Sequence, residues 1–187
     1  AGEYVFQNFF TPVQQVEAVL DEIMNRRGLR SLAVLCPRTS YGEGFTGLFK
    51  QAVAKRGGQV VETVYYQTNL TDFTGEIKKL VHLPPGSYRP GLPDSPKAVI
   101  NFQALFIPDG PERVAMLAPQ LAYFDVTGVT LLGTSLWHDQ RLVEVAGRYL
   151  SGCVFPDAFD PEAKKPAVAR FVAEFRKALG KDPNVLD

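Results

Sequence analysis

A short apolar segment followed by a longer amphipathic one is the feature that most constrains the fold of this chain. Residues Ser31–Cys36 are aliphatic and long enough for a strand covered on both faces, whereas Glu43–Arg56 has the longer hydrophobic period of a helix. The polar loop Pro37–Tyr41 connects them. Strand, loop and helix in this order form the repeating unit of an open parallel sheet, whose ligands bind outside the carboxyl ends of the strands. Pro37–Tyr41 is therefore predicted to lie at the rim of any binding site.

The same alternation of strand and helix patterns continues along the chain. The predicted strands are Ser31–Cys36, Gln59–Tyr66, Lys97–Ile107, Val129–Gly133 and Gly152–Phe155. The predicted helices are one from Pro12 to Gly28, Glu43–Arg56, a brief helix that starts within Thr71–Glu76, Glu112–Phe124, Leu136–Leu150 and Pro166–Leu179. Lys97–Ile107 is the longest apolar run and is predicted to be the central strand. The alternation predicts an α/β fold, a three-layer α/β/α sandwich with a mainly parallel, doubly wound sheet.

The chain length and one proline-rich segment define the predicted domain organisation. With 187 residues the chain is long enough for one domain with a full core and short for two, so residues 1–187 are predicted to form a single domain. Residues 84–96, with the sequence PPGSYRPGLPDSP, are predicted to form a loop insertion. Each proline removes a backbone donor and restricts the residue before it, so this segment cannot form a regular helix or strand.

The charge balance excludes several classes of partner. The 20 basic and 20 acidic residues cancel, which is not the pattern of a protein that binds nucleic acid. No apolar run approaches the roughly 18 residues of a membrane-spanning helix, so no direct membrane insertion of this segment is expected.

Cys36 and Cys153 lie in apolar runs and are predicted to be buried thiols. No spacing of His, Cys, Asp and Glu indicates a metal site, and neither a metal nor a cofactor is predicted.

One segment matches a nucleotide-binding pattern. Gly42–Gly47 reads GEGFTG, which fits G-x-G-x-x-G, and Glu62 follows on the next predicted strand, as a ribose-binding acid would. However, Pro37–Tyr41 separates the first glycine from the preceding strand, whereas a dinucleotide-binding turn follows the strand directly. The interpretation preferred here is that the glycines permit a tight loop and close helix packing. A nucleotide-dependent enzyme is the least favoured alternative.

The predicted strand ends carry hydroxyl groups, aromatic rings and a carboxylate. The sequence has no Gly-x-Ser-x-Gly nucleophile elbow, and no catalytic residue is predicted. These groups fit a binding cleft better than a reaction centre. The candidate ligand-binding residues are Thr39, Ser40, Tyr41, Asp109, Thr134, Ser135 and Trp137.

Several short motifs carry a family resemblance. They are Tyr41-Gly42-Glu43-Gly44, Asp72-Phe73, Leu132-Gly133-Thr134-Ser135, and Gly152-Cys153-Val154-Phe155 ahead of Phe171-x-x-x-Phe175. Together they resemble the type 1 periplasmic binding proteins of the Leu/Ile/Val-binding class. The resemblance covers nearly the whole chain but only the second lobe of those proteins, which implies an excised, non-catalytic ligand-binding lobe, as in ABC-type branched-chain amino acid uptake.

A second set of motifs indicates a branch of that superfamily. The Pro-rich insertion, Leu105-Phe106-Ile107-Pro108 and Ala118-Pro119-Gln120-Leu121 are more similar to the penicillin-binding protein activators. Those are outer-membrane lipoproteins that bind a peptidoglycan synthase. The resemblance implies a periplasmic or cell-envelope location, with lipid anchoring through a segment outside this sequence. It also implies as partner a small polar ligand such as an amino acid, or a protein, either a permease or a peptidoglycan synthase.

The resemblance assigns a role to some of the candidates and questions others. Tyr41 matches the family tyrosine that lines the ligand cleft. Amino-acid binders of this class place a tyrosine after the central strand and a glutamate after the next, to hold the ligand's ammonium group. This chain has Pro108-Asp109 and Thr134-Ser135 at those positions, where Asp109 can replace the negative charge.

Overall fold

The computed structural model describes residues 10–84, 86, 88, 92, 94–158, 166–181 and 183. The chain divides into two compact units: Thr11–Pro156, and a smaller unit that contains the described residues on either side of it. The single domain over residues 1–187 stays a prediction.

The larger unit is built on a parallel sheet. Its strands are β1 (Ser31–Pro37), β2 (Gln59–Tyr66), β3 (Ala104–Phe106) and β4 (Thr130–Leu132). In the described residues they form a four-stranded sheet in the order β2-β1-β3-β4, and every paired strand runs parallel. The order reverses between β1 and β3, which is the point where doubly wound sheets bind ligands.

Helices follow the strands in the predicted alternation. In the larger unit they are α1 (Pro12–Leu20), continued by a π-helical turn (Asp21–Arg26), α2 (Ser40–Lys55), α3 (Thr74–Leu80), α4 (Pro111–Tyr123) and α5 (Gln140–Ala146). Short 3-10 turns flank α5 at Ser135–Trp137 and Gly147–Tyr149. The smaller unit contains α6 (Pro166–Leu179), which has the predicted bounds.

Two apolar clusters cover the two faces of the sheet. Leu32, Val34 and Cys36 of β1 pack with α1 and α2, whereas Ala33 and Leu35 pack with α3, α4 and α5. Alternate residues of β1 therefore pack against the helical layers on opposite faces of the sheet, as expected for a strand buried on both faces. This arrangement confirms the predicted three-layer α/β/α sandwich with a doubly wound sheet.

The predicted central strand, Lys97–Ile107, is wrong in its length. Only Ala104–Phe106 joins the ladder, although it does lie between β1 and β4. The segment before it still alternates, with Phe102 buried and Val99 exposed, but it lies outside the sheet. β1 begins only at Ser31, whose carbonyl accepts the backbone N–H of Gln103, so no neighbouring strand reaches back to pair with this segment.

The end of the larger unit also differs from the prediction. Leu136–Leu150 is not one helix, because the Asp139 carboxylate caps a new helix by accepting from the backbone N–H of Arg141 at 2.8 Å. The predicted last strand, Gly152–Phe155, is reduced to a single parallel bridge between Val154 and Leu132. In the predicted loop 84–96, the described residues contain neither helix nor strand.

Candidate ligand-binding site

The connection between β1 and α2 is shorter than predicted. Thr39 caps α2 by accepting the backbone N–H of Gly42 on its Oγ1 atom at 2.9 Å, and the helix begins at Ser40. The predicted loop Pro37–Tyr41 and the predicted helix start at Glu43 are therefore wrong. Pro37 ends β1, whereas Ser40 and Tyr41 form the first turn of α2. The N-cap hydroxyl explains the difference, because it stabilises a helix start immediately after the strand.

The glycine pattern after β1 serves packing at one position. A Cβ atom on Gly42 would lie 2.6 Å from both the Cγ and the carbonyl oxygen of Pro37, so only glycine lets this helical turn approach the strand end. Gly44 and Gly47 lie within α2 and face no such contact. Glu62 lies inside β2, and its carboxylate is 3.1 Å from Nε2 of His82. These glycines do not form the strand-to-helix turn that the nucleotide-binding alternative needs.

A hydrogen bond joins the ends of β1 and β4. The hydroxyl of Tyr41, in the first turn after β1, donates to Oγ1 of Thr134, just after β4, at 2.9 Å. Tyr41 is 40% exposed and Thr134 is 1% exposed, so the bond connects the surface of this edge to its interior. Burial raises the pKa of the Tyr41 phenol, the bond to Thr134 opposes that shift, and the negative charge of Asp109 adds to it.

A second hydrogen bond joins the ends of β2 and β3. The hydroxyl of Tyr66, the last residue of β2, donates to Oδ2 of Asp109 at 2.5 Å. The backbone N–H of Gly110 donates to the other carboxylate oxygen at 2.7 Å. Burial raises the pKa of Tyr66, and both the bond to Asp109 and its charge raise it further.

Trp137 connects the two hydrogen-bonded pairs. Its indole Nε1 donates to the backbone carbonyl of Asp109 at 3.2 Å, and its backbone N–H donates to the carbonyl of Thr134 at 3.0 Å. The ring is 1% exposed and lies against Gly133 so closely that a Cβ atom there would be 2.5 Å from its Cε2 atom. Trp137 is therefore part of the framework of the site.

The structure brings together some of the predicted residues. Tyr41, Asp109, Thr134 and Trp137 form one connected group at the carboxyl edge of the sheet. Thr39 is a helix cap, and Ser40 is exposed in the first turn of α2. Ser135 follows the end of β4, where its backbone N–H donates to Oε1 of Gln15 at 3.0 Å.

Sequence reasoning missed two residues of this edge, Tyr66 and Gln15. Tyr66 ends a correctly predicted strand at the carboxyl edge of the sheet, and that position was a signal for including it. Gln15 lies beside Val16 on the buried face of α1 and is only 7% exposed. A buried polar side chain needs a hydrogen-bond partner, and here one partner is the backbone N–H of Ser135.

The chemistry available at this edge is that of hydrogen bonding. It comprises two phenols, a carboxylate and a buried hydroxyl, which can orient a small polar molecule. Among the residues that the structure describes, no group of three or more His, Cys, Asp and Glu side chains could hold a metal ion.

A separate pocket lies between α4 and α5. It contains none of the predicted binding residues, and its walls are mainly apolar. The charged groups of Arg141 and Glu112 lie 3.5 Å apart and are strongly exposed. The pocket is lined by Pro111, Glu112, Ala115, Arg141, Leu142 and Val145.

Comparison with solved structures shows which class of fold this is. A leucine-binding protein, LivK, of Thermotoga maritima matches with a TM-score of 0.70 and 20% identity, over 94% of this chain and 45% of that one. A branched-chain amino acid ABC transporter protein of Rhodospirillum rubrum matches with a TM-score of 0.73 and 20% identity, over 96% and 46%. A solute-binding protein of R. palustris in complex with benzoate matches with a TM-score of 0.63 and 17% identity, over 97% and 45%. The fold is that of ABC-transporter substrate-binding proteins.

The family of this chain is identified by a match between its sequence and a family profile. A family profile described as "Periplasmic binding protein" matches residues 1–186, and this chain belongs to that family. The predicted resemblance to the type 1, Leu/Ile/Val-binding class is confirmed. The chain spans a little under half the length of the solved structures described above. Among curated proteins, none matches this sequence.

Family membership bears on location and on enzymatic activity. It implies a periplasmic location. In the described part of the chain, no helix is both long enough and apolar enough to cross a bilayer. The solved neighbours are substrate-binding or solute-binding proteins rather than enzymes.

Proposed function

We propose that this chain is a non-catalytic lobe of a solute receptor and binds a small polar ligand at the carboxyl edge of its sheet. The observation that carries the proposal is the connected group of Tyr41, Thr134, Asp109 and Trp137 at that edge. These groups come from the ends of several strands and meet where doubly wound sheets bind ligands. The partner of such a receptor would be an ABC-type permease.

The neighbours and the charge of the site suggest which ligands to test. One neighbour is named for leucine, and another, LivJ of Streptococcus pneumoniae, is in complex with isoleucine. The carboxylate of Asp109 could accept a charge-assisted hydrogen bond from the ammonium group of such an amino acid. Benzoate, the ligand of the R. palustris protein, has no ammonium group and provides a contrasting probe.

A titration followed by NMR tests this proposal and tolerates weak binding by a single lobe. We expect leucine or isoleucine, at millimolar concentrations, to shift the backbone amide signals of Tyr41, Gly110 and Thr134 selectively. Asp109→Asn should weaken binding about tenfold, because it removes a charge-assisted hydrogen bond. The matched control is Asp125→Asn, since Asp125 also accepts from a tyrosine hydroxyl, that of Tyr88.

The controls decide between a local site and a general effect. Equal loss of binding in Asp109→Asn and Asp125→Asn would contradict a role for the strand-end carboxylate. Amide signals at this edge that stay unmoved by a complete panel of amino acids and by benzoate would contradict the receptor proposal itself.

A second candidate function is that of an envelope lipoprotein domain that binds a peptidoglycan synthase, as penicillin-binding protein activators do. The observation that favours it is the attachment of Tyr88, within the Pro-rich loop. Its hydroxyl lies 2.6 Å from Oδ2 of Asp125 and 3.0 Å from the carbonyl oxygen of Tyr123, and its ring packs 5.0 Å from that of Phe124. Tyr88 fixes its part of the loop to the end of α4, which would suit a surface that a protein partner recognises.

Replacing residues 84–96 by a short Gly/Ser linker tests this second function. The replacement is feasible because the backbone N–H of Val99 donates to the carbonyl of Val81 at 2.9 Å, so the chain on either side of the loop is already close. We expect the variant to lose capture of a purified peptidoglycan synthase while its thermal unfolding stays cooperative. Undiminished capture would contradict a role for the loop.

A further inference from the structure

Tyr66, at the end of β2, makes a side-chain hydrogen bond to Asp109 that is not needed for its packing in the core. Its ring is 1% exposed and packs edge-on against Phe73, with the ring centroids 5.3 Å apart. Phenylalanine would make the same ring contact, so the hydroxyl is not needed to fill this space. The hydroxyl instead donates to Oδ2 of Asp109 at 2.5 Å. Because β1 lies between β2 and β3, this bond joins two strand ends that are not neighbours.

The Asp109 carboxylate is held from two directions. The hydroxyl of Tyr66 donates to Oδ2, and the backbone N–H of Gly110 donates to Oδ1 at 2.7 Å. Rotation of the carboxylate breaks at least one of these bonds. Each carboxylate oxygen has a further acceptor direction, so the group can still accept from a ligand while both bonds persist. A tyrosine hydroxyl is protonated, and so can donate, at neutral pH, and burial raises the pKa of Tyr66 further from that range.

We propose that Tyr66 is a positioning residue, which fixes the Asp109 carboxylate in a single rotamer at the ligand-binding edge through the hydrogen bond between the two side chains. The fixed rotamer is independent of any ligand, whereas its use in recognition rests on the receptor function proposed above. A donor group of the ligand then meets an oriented acceptor and does not have to immobilise it.

The rotamer of Asp109 can be measured by NMR through its three-bond χ1 couplings. We expect the wild-type couplings to report one staggered rotamer and those of Tyr66→Phe to be averaged over several. The matched control is Tyr88→Phe, which also removes a tyrosine–aspartate bond, of 2.6 Å to Asp125, and should leave the Asp109 couplings unchanged. Averaged couplings already in the wild type, or a single rotamer retained in Tyr66→Phe, would overturn the proposal.

A ligand titration separates this inference from the proposed function. Where leucine or isoleucine binds, Tyr66→Phe should weaken the binding about tenfold and Tyr88→Phe should not, because only the first variant releases the carboxylate. Equal affinity of wild type and Tyr66→Phe would overturn the positioning role in recognition. Averaged Asp109 couplings in Tyr66→Phe, together with no binding to either protein, would contradict the receptor function and support the fixed carboxylate.

Discussion

Alanine at position 133 is expected to destabilise the protein by about 3 kcal/mol or more, because the added methyl group has no space. The Cβ atom would lie 2.5 Å from Cε2 of Trp137, and closer still to other atoms of the same ring. Trp137 is 1% exposed, so its ring cannot move aside into solvent. The indole must shift, and its hydrogen bond to the carbonyl of Asp109 should be lost with it.

The free energy of unfolding of Gly133→Ala can be measured in urea, with Trp137 fluorescence as the signal. Trp137 is the only tryptophan of the sequence, so the signal reports directly on the strained position. Gly44→Ala is the matched control, because nothing lies within 4 Å of a Cβ atom there. Gly44 is exposed within α2, and alanine should stabilise the helix by up to about 1 kcal/mol. Similar unfolding midpoints for the two variants would contradict the close packing of Gly133 on Trp137.

Phe106→Ala is expected to cost about 3–5 kcal/mol of stability, as truncation of a buried aromatic side chain does. The Phe106 ring stacks on that of Phe49, with centroids 4.3 Å apart and planes 12° apart. Both residues are essentially inaccessible to solvent, so the variant leaves a cavity between β3 and α2. Phe106 is one of the three residues that β3 contributes to the sheet.

The free energy of unfolding in urea measures this second effect. Val143→Ala serves as the control, because Val143 is 67% exposed and its truncation should change stability by about 0.5 kcal/mol or less. The double variant Phe49→Ala/Phe106→Ala should cost less than the sum of the two single changes, since the rings contact each other. A loss below about 1 kcal/mol for Phe106→Ala would contradict the stacked, buried arrangement.

Local sequence pattern was sufficient for much of the architecture. β2 has its predicted bounds and α6 likewise, because continuous apolar or amphipathic segments with clear ends leave little choice. The prediction of a strand over all of Lys97–Ile107 failed because an apolar run shows only that a segment is at least partly buried. Whether it forms a strand depends on neighbours that extend far enough to pair with it. That information lies in β1 and β4, not in the segment.

For the candidate site, the sequence was sufficient to predict which residues follow the strand ends, but not which of those residues contact one another. The expectation that ligand-binding groups follow parallel strands identified Tyr41 and Thr134, which are 93 residues apart and share a hydrogen bond. The strand order decides which strand ends meet, and local pattern does not contain it. Tyr66 was missed because its partner, Asp109, lies 43 residues further on and two strands away.

The two tyrosine bonds each skip a strand, which gives this edge a mechanical property. The Tyr41 bond joins the end of β1 to the end of β4 across β3, and the Tyr66 bond joins the end of β2 to the end of β3 across β1. Each of these strand ends is therefore held by a strand that is not its immediate neighbour in the sheet. These two bonds are expected to make the carboxyl edge of the sheet resistant to local rearrangement. In the receptor function proposed above, this edge is then expected to move as a rigid unit about hinges elsewhere and to lose little conformational entropy on binding a ligand.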